Sequence, residues 1–478
     1  MALPSSTRSA PSKPTAARRN ETGVVVAIAA TVLAYALTQT MPVPTVNVLR
    51  QAFDTSAAAT TWAVVSAPLL AGAVLTPVIG RLGDQFGKRR ALLTVLAVFL
   101  AGSVTALVSW DIGVLIAARA VQGVSLAVMA LGYGILRESL PADRVPFALG
   151  LTAGVLGGGA GGALVVGGLI VDHLPWRAMF LAGCLLVGTA LVLVARYVPE
   201  SRVRASGRPD LLGAGVLGLG LAALLLALTQ APAWGWTSPG VIALAAAGTV
   251  LFGLFIVVER RVAQPLVDPE LFTHRPILMA NLGALLLGIS QYVFYLLVPT
   301  LAQLPAAPDA ATATGFALSV TGAGLVMLPG SVATLPAGSV AGWMGGRLGP
   351  RAVLGLGLAV AVLGAAAMAL GHDTAWQVAG LWVVFSIGSG LAMAALPALV
   401  SSAAPADRVA SANGINVVAR TVGGSVGSQL GIAVLASQTL PGTGTAAASA
   451  FGLSFWIAAG AAALGVLAAG LATSPAAG

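Results

Sequence analysis

The chain has 478 residues, 58% of them hydrophobic and 8% charged, with a mean hydropathy of +0.95. Soluble domains carry about a quarter of their residues as charges, so this composition excludes a water-soluble enzyme or binding module and predicts a polytopic membrane protein. The formal charge of +9 follows the loops between apolar runs, which points to membrane topology rather than to nucleic acid.

Residues 1–22 are rich in Ser, Pro and Ala and include Arg8, Lys13, Arg18 and Arg19. They read as a disordered cytoplasmic tail. The first apolar run starts late, is long and lacks a small-residue cleavage site, which argues against a removed signal peptide. Apolar stretches follow near 23–41, 61–79, 90–109, 112–136, 147–170 and 177–197. Two more lie near 210–230 and 240–258, and six near 277–299, 313–336, 351–371, 376–399, 411–436 and 451–473. Each can cross about 30 Å of hydrocarbon as a helix. The runs are continuous rather than alternating, which favours helices over a barrel. The chain thus reads as all-α with about 14 spans: a six-helix bundle over 23–197, two extra helices within 198–276, a second bundle over 277–473 and a tail at 474–478.

Between the second and third runs lies Gly80-Arg81-Leu82-Gly83-Asp84-Gln85-Phe86-Gly87-Lys88-Arg89-Arg90. It reads as a basic turn, and a weaker copy at Gly342 to Arg351 puts Gly346 where Asp84 stands. Pro141-Ala142-Asp143-Arg144-Val145 also recurs unchanged as Pro405-Ala406-Asp407-Arg408-Val409. The two copies are separated by nearly the same distance along the chain, which indicates one ancient duplication, a pattern typical of secondary transporters. Asp84 is expected at the entry to the third helix, favoured by a helix N-terminus and by Lys88, Arg89 and Arg90. In that role it is a cytoplasmic latch, with Gly80, Gly83 and Gly87 permitting a tight turn and close helix approach. The plainer alternative is a loop that only fixes topology.

Arg119 falls near the middle of the fourth run, close to Gln122 and Gly123, where a guanidinium costs about 2.5–3.5 kcal/mol on insertion scales. It needs a partner, such as a helix-end acid like Asp54, or backbone carbonyls or a wet cavity. Arg420 is the other basic residue placed well inside a run. Gly157-Gly158-Gly159-Ala160-Gly161-Gly162 in the fifth run invites close packing, and the interface between the two halves is a natural place for it. Polar candidates for a cargo cavity or coupling route are Gln39, Gln122, Tyr133, Asn281, Gln291, Tyr292, Tyr295, Asn413 and Asn416. No Asp or Glu falls at mid-membrane: Asp268, Glu270 and Asp309, like the others, sit in loops or at helix ends.

An even number of spans places both termini on one side, and that side collects most Lys and Arg, which makes it cytoplasmic by the positive-inside rule. Trp62, Trp110, Trp176, Trp234, Trp236 and Trp376 fall at the outer ends of runs and read as an interfacial belt. Cys184 is the only cysteine, and His173, His274 and His372 lie in separate loops. The residues therefore suggest neither a disulfide, a metal nor a cofactor.

On these motifs nearly the whole chain resembles the major facilitator superfamily, in its fourteen-helix drug:proton antiporter branch. The run 80–90 resembles the signature loop between helices two and three, and Arg119, Gln122 and Gly123 resemble the helix-four motif. Gly157, Gly158, Gly161 and Gly162 resemble the exporter motif of helix five, with Gly158 in place of its proline. Pro199-Glu200-Ser201, Asp210 with Gly213, Trp234-Gly235-Trp236 and Glu259-Arg260-Arg261 leading to Pro265-Leu266 are further matches. The resemblance implies the major facilitator fold with two central extra helices, monomeric, in the cytoplasmic membrane. It implies export of a small amphipathic drug or antibiotic in exchange for protons by alternating access. The rivals are a metabolite or nutrient transporter of the same build, or a membrane-embedded enzyme or sensor. Pro42 stands where the branch commonly has an Asp in helix one, which counts against a cationic cargo. No Gly-x-x-x-x-Gly-Lys-Ser/Thr loop for nucleotide is found.

Overall fold

The computed structural model describes residues 16–56, 59–60, 62–201, 210–262, 274–304, 315–438 and 446–472. Arg8, Lys13, Pro265-Leu266, Asp268, Glu270, Asp309 and the tail 474–478 lie outside the described residues. Among those described, fourteen long helices run back and forth. They are α1 (Ala16–Thr40), α2 (Trp62–Phe86), α3 (Lys88–Leu107), α4 (Ile112–Ser139), α5 (Val145–His173), α6 (Arg177–Tyr197) and α7 (Leu211–Trp234). The rest are α8 (Pro239–Glu259), α9 (Arg275–Gln303), α10 (Val320–Leu348), α11 (Pro350–Leu370), α12 (Ala375–Ala403), α13 (Val409–Ser437) and α14 (Ala448–Leu471). All except α13 are apolar enough to span a membrane by length and composition. The exception carries Asn413, Asn416, Arg420 and Thr421 and turns that polar face inward, where other helices rather than lipid meet it.

Helix ends depart from the apolar runs in a consistent way. The expected turn Gly80–Arg90 is helical except at one residue: α2 continues through Phe86 and α3 starts at Lys88. Gly87 alone makes the break, at φ 109°, a backbone state that favours glycine. The copy does the same, with α10 running to Leu348 and Gly349 turning at φ 80°. The tenth span consequently lies later than the run 313–336 suggests. Apolar runs mark hydrocarbon, whereas the helices extend past it into polar surroundings.

Large apolar side chains such as Leu185, Val250, Leu363 and Leu467 point outward, as lipid contact requires. Trp110 and Trp376 are 74% and 88% exposed, but Trp176 turns inward, correcting its place in the belt. Its ring packs on Phe53 and Phe180, with Arg177 lying 4.2 Å over it.

The closest packing between the halves joins α5 to α10. A second seam joins α13 to α2 and α4. Helix α7 pairs with α8 and also straddles that second seam, where Leu217, Leu221 and Phe255 pack with Val418 and with Val74 and Val78 of α2.

Candidate functional site

The two seams are built differently. Along α5 and α10, small residues let backbones touch: a methyl group added at Gly154 would lie 2.8 Å from the Leu335 carbonyl, and one at Gly158 2.9 Å from the Leu335 side chain. Gly150 meets the Gly338 backbone, Gly157 meets Thr334, and Gly161 meets the Ser331 side chain. Gly162 has open space beside it. At the far end of the seam, away from the termini, Thr321 Oγ1 donates to Asp172 at 2.5 Å.

The α2–α13 seam is closed near the termini by one carboxylate. Asp84, in the last turn of α2, is fully buried and accepts from Ser411 Oγ at 2.7 Å, Ser411 N at 2.8 Å and Ala410 N at 3.3 Å. The helix N-terminus that favours this acid is therefore that of α13 in the other half, not that of α3. A helix start leaves several N–H groups without intrahelical partners, and Asp84 supplies acceptors for two of them. Gly80 packs on the Ala410 carbonyl, Gly83 faces Leu131, and Gly87 lies against Glu200.

Of the three basic residues after Gly87, only Lys88 reaches Asp84. Its Nζ lies 3.0 Å from Asp84 Oδ1 and 2.5 Å from Glu138 Oε1, and its side chain is fully buried. Arg89 donates to the Ala195 carbonyl, and Arg90, 71% exposed, sits 3.4 Å from Glu200. Ser201 Oγ accepts from the Lys88 backbone at 3.3 Å, so the stretch Glu200-Ser201 packs against the α2–α3 break.

Arg119 takes no carboxylate partner, and Asp54 is exposed beyond the short helix Val46–Ala52. Its guanidinium instead donates to the carbonyls of Ala63 (3.2 Å), Val64 (2.9 Å) and Thr38 (3.3 Å) and to Gln122 Oε1 (2.6 Å). The Ala63 and Val64 carbonyls are available because α2 opens with a π-helical turn, Trp62–Ser66, and because Pro68 has no N–H to offer them. Gln122 Nε2 donates to Ser103, and Gln39 Nε2 donates to Ser125 and to the Gln122 carbonyl. Gly123 fits against the backbone of Pro68 and Gly72. The network ties α1, α2, α3 and α4 together.

Between the halves lies a cavity of about 190 Å³. Its polar lining includes Tyr35 and Gln39 of α1, Gln291, Tyr292 and Tyr295 of α9 and Arg420 of α13, and Gly123 and Gly157 border it. Asn281 and Asn413 stand away from it. Asn281 Oδ1 accepts from Asn416 Nδ2 at 3.1 Å, and Asn413 Nδ2 donates to Ser401 Oγ at 2.9 Å and to the Val409 carbonyl. A second, mainly apolar cavity of about 380 Å³ lies nearer the termini, bordered by Arg137, Leu149, Val353 and Ser401.

Two six-helix halves enclosing a cavity, with a carboxylate latch at their junction, agree with what comparison with known proteins finds. The sequence profile of the Major Facilitator Superfamily matches residues 28–428 and 280–477. The chain belongs to the major facilitator superfamily. It is 28% identical to the tetracenomycin C resistance and export protein of Streptomyces glaucescens, over 87% of this chain and 76% of that one. It is 32% identical to the methyl viologen resistance protein SmvA of Salmonella typhimurium, over 75% of this chain and 71% of that one. These relatives place it in the multidrug- and antibiotic-resistance branch. The human organic anion transporter MFSD10 shares the fold, with a TM-score of 0.65 at 15% identity over 95% of this chain and 100% of that one. As a major facilitator the protein is a multi-pass membrane transporter of small molecules rather than an enzyme.

Within this major facilitator the duplication is visible in contacts as well as letters. Gly80 packs on Ala410 and Ser411, and its copy Gly342 packs on Pro146 and Phe147, which occupy the same places after the repeated Pro-Ala-Asp-Arg-Val. In the second copy the acid is gone and the donor side is reduced to one group: Gly346 replaces the acid, Pro146 lacks an N–H, and Phe147 lacks a hydroxyl and keeps only its backbone N–H. Sequence reasoning missed Ser411, Glu138 and Tyr35. For Ser411 the signal was present, because the two repeated pentapeptides diverge immediately afterward into Ala410-Ser411 and Pro146-Phe147.

Proposed function

We propose that the protein exports a small amphipathic drug or antibiotic across the cytoplasmic membrane in exchange for protons, by alternating access, with both termini in the cytoplasm. The observation that carries this reading is a cavity between two pseudo-equivalent halves, with the Asp84–Ser411 latch closing the junction on the terminal side only. Alternating access needs one gate that closes and can release while the site stays in place, and a carboxylate capping another helix is such a gate. Resistance and export proteins among the relatives support outward transport. In this reading Asp84, Lys88, Gly80, Gly83 and Gly87 gate, with Arg89 and Arg90 as topological anchors. Arg420, Gln291 and Tyr295 meet the cargo, whereas Arg119, Gln122, Gly123, Asn281 and Asn413 hold the helices that frame it. Gly157, Gly158 and Gly161 form the seam of the exporter.

The test is expression in a host lacking its main pumps, growth against chemically diverse antibiotics, and proton-driven transport of any hit in vesicles. Raised tolerance together with proton movement on adding the compound is expected. If tolerance to no compound rises and no proton movement follows, metabolite transport becomes the better reading. Labelling of a cysteine placed at the N-terminus, from one side of the membrane, reads the orientation.

A further inference from the structure

The chemistry of the central cavity carries the export reading further, to the class of cargo, and rests on that reading for its physiological meaning. No Asp or Glu borders the cavity. Arg420 does, and among the described residues its guanidinium makes neither a salt bridge nor a hydrogen bond. Arg119 adds a second cation behind the wall, since its Nη2 donates to the carbonyl of Val64, a lining residue. A half-buried cation without a counter-charge, set in a mostly apolar wall, favours an anionic partner and disfavours another cation.

Gln291 supplies the second point of recognition. It is 2% exposed, its Nε2 lies 3.3 Å from Met393 Sδ and 3.4 Å from the Tyr295 hydroxyl, and its Oε1 has no hydrogen-bond partner. A buried acceptor left unmade is costly, so a donor from a bound molecule would relieve it. Close packing brings these groups to one wall. Gly288 sits against the Arg420 carbonyl, and Gly424 receives the Tyr292 ring one turn further along. Tyr292 and Tyr295 meet edge-on at 5.8 Å, and Tyr295 meets Trp382 at 5.6 Å.

We propose that the cavity binds a flat aromatic monoanion bearing a hydroxyl or N–H group, with its acid on Arg420, its donor on Gln291 Oε1 and its ring among Tyr35, Tyr292 and Tyr295. Each element of the ligand answers one feature of the wall. The guanidinium selects the charge, the orphan oxygen selects a donor, and the tyrosine rings select a flat apolar body with tolerance for edge contacts.

The test is equilibrium binding of 6-hydroxy-2-naphthoate to the purified full-length protein in detergent, compared with 2-naphthoate, 2-naphthol and tetraphenylphosphonium. The hydroxynaphthoate should bind tightest. Arg420→Gln should weaken it at least about tenfold, the scale of a lost charged hydrogen bond, and leave 2-naphthol unchanged, whereas Arg420→Lys should retain most of the preference. Gln291→Leu should abolish the advantage of hydroxynaphthoate over 2-naphthoate. Tighter binding of tetraphenylphosphonium by the unaltered protein would overturn the proposal. So would equal weakening of the anion and of 2-naphthol by Arg420→Gln, which would mark a role in packing alone. If this binding pattern holds while vesicles show no transport, the inference stands and the export reading falls.

Discussion

Asp84 and Ser411, 327 positions apart in the chain, meet through two hydrogen bonds of 2.7 and 2.8 Å to one carboxylate oxygen. The first turn of a helix in one half is thereby capped by a side chain from the other, so separating the halves at this face uncaps a helix. Capping contacts of this kind are worth about 0.5–2 kcal/mol each, enough to bias an equilibrium without freezing it.

Replacing Asp84 with Asn should lower transport by an order of magnitude or so, about 1.4 kcal/mol in the relevant equilibrium, with insertion and yield unchanged. Spin labels at Phe86→Cys and Ala406→Cys, on a Cys184→Ser background, should report a longer or broader distance on the terminal side. An unchanged distance together with normal transport would reduce the stretch to a topology signal.

Arg119→Ala should destabilise the protein. It strands the carbonyls of Thr38, Ala63 and Val64, and each buried acceptor left unsatisfied costs about 1–3 kcal/mol. Thermal unfolding in detergent should show the loss, with Arg119→Lys intermediate. Full stability combined with lost proton coupling would instead make the residue a chemical participant.

Gly150→Val and Gly162→Ala should differ sharply although both lie in α5. The first drives a side chain into the Gly338 backbone, which cannot yield as a flexible side chain could, and overpacking costs about 1–3 kcal/mol or more. The second enters open space. Unfolding midpoints and vesicle transport should fall for the first and hold for the second.

The pair Asn281 and Asn416 should show coupling. Each single change to Leu strands a polar partner, whereas the double change removes both. A double-mutant cycle should give roughly 0.6 kcal/mol, as interhelical hydrogen bonds in membranes do.

The spans were legible from the apolar runs because lipid imposes length and hydrophobicity directly on the sequence. Helix ends were not, since residues such as Arg81, Asp84 and Lys88 extend α2 and begin α3 outside the apolar signal, and only the positive φ of Gly87 breaks them. The importance of Asp84 could be read from its glycines and its lost copy, but its true partner could not, because a contact over 327 positions leaves no local trace. Arg119 was recognisable as a buried charge. That it binds carbonyls freed by the π turn and by Pro68 depends on the packing of α2 against α4. Gln291 and Arg420 carry no periodic signal that separates a cavity wall from an ordinary helix interface.

Gly346→Asp should fail to build a second latch. Nothing lies within 4 Å of the added Cβ, so the change is tolerated, but of the three donors that hold Asp84 only the counterpart of Ser411 N, the Phe147 N–H, remains, since Pro146 offers no N–H and Phe147 no hydroxyl. Transport and label distances should match the unaltered protein.

Losing the latch on one side of the duplication has a consequence for control. Two equivalent fasteners would back each other up, so that any signal acting on one would be blunted by the other. Among the described residues Asp84 is the one carboxylate that caps a helix of the other half at this face, beside the Arg137 guanidinium on the Ala404 carbonyl, so a proton, a lipid headgroup or a mutation reaching the few atoms around Asp84, Lys88 and Glu138 acts directly on the capping part of the closure. Along the glycines of the α5–α10 seam backbone meets backbone, and the carboxylate described on that seam, Asp172, sits at its far end, away from the termini. Sensitivity and fragility of this transporter are thus concentrated at the same place.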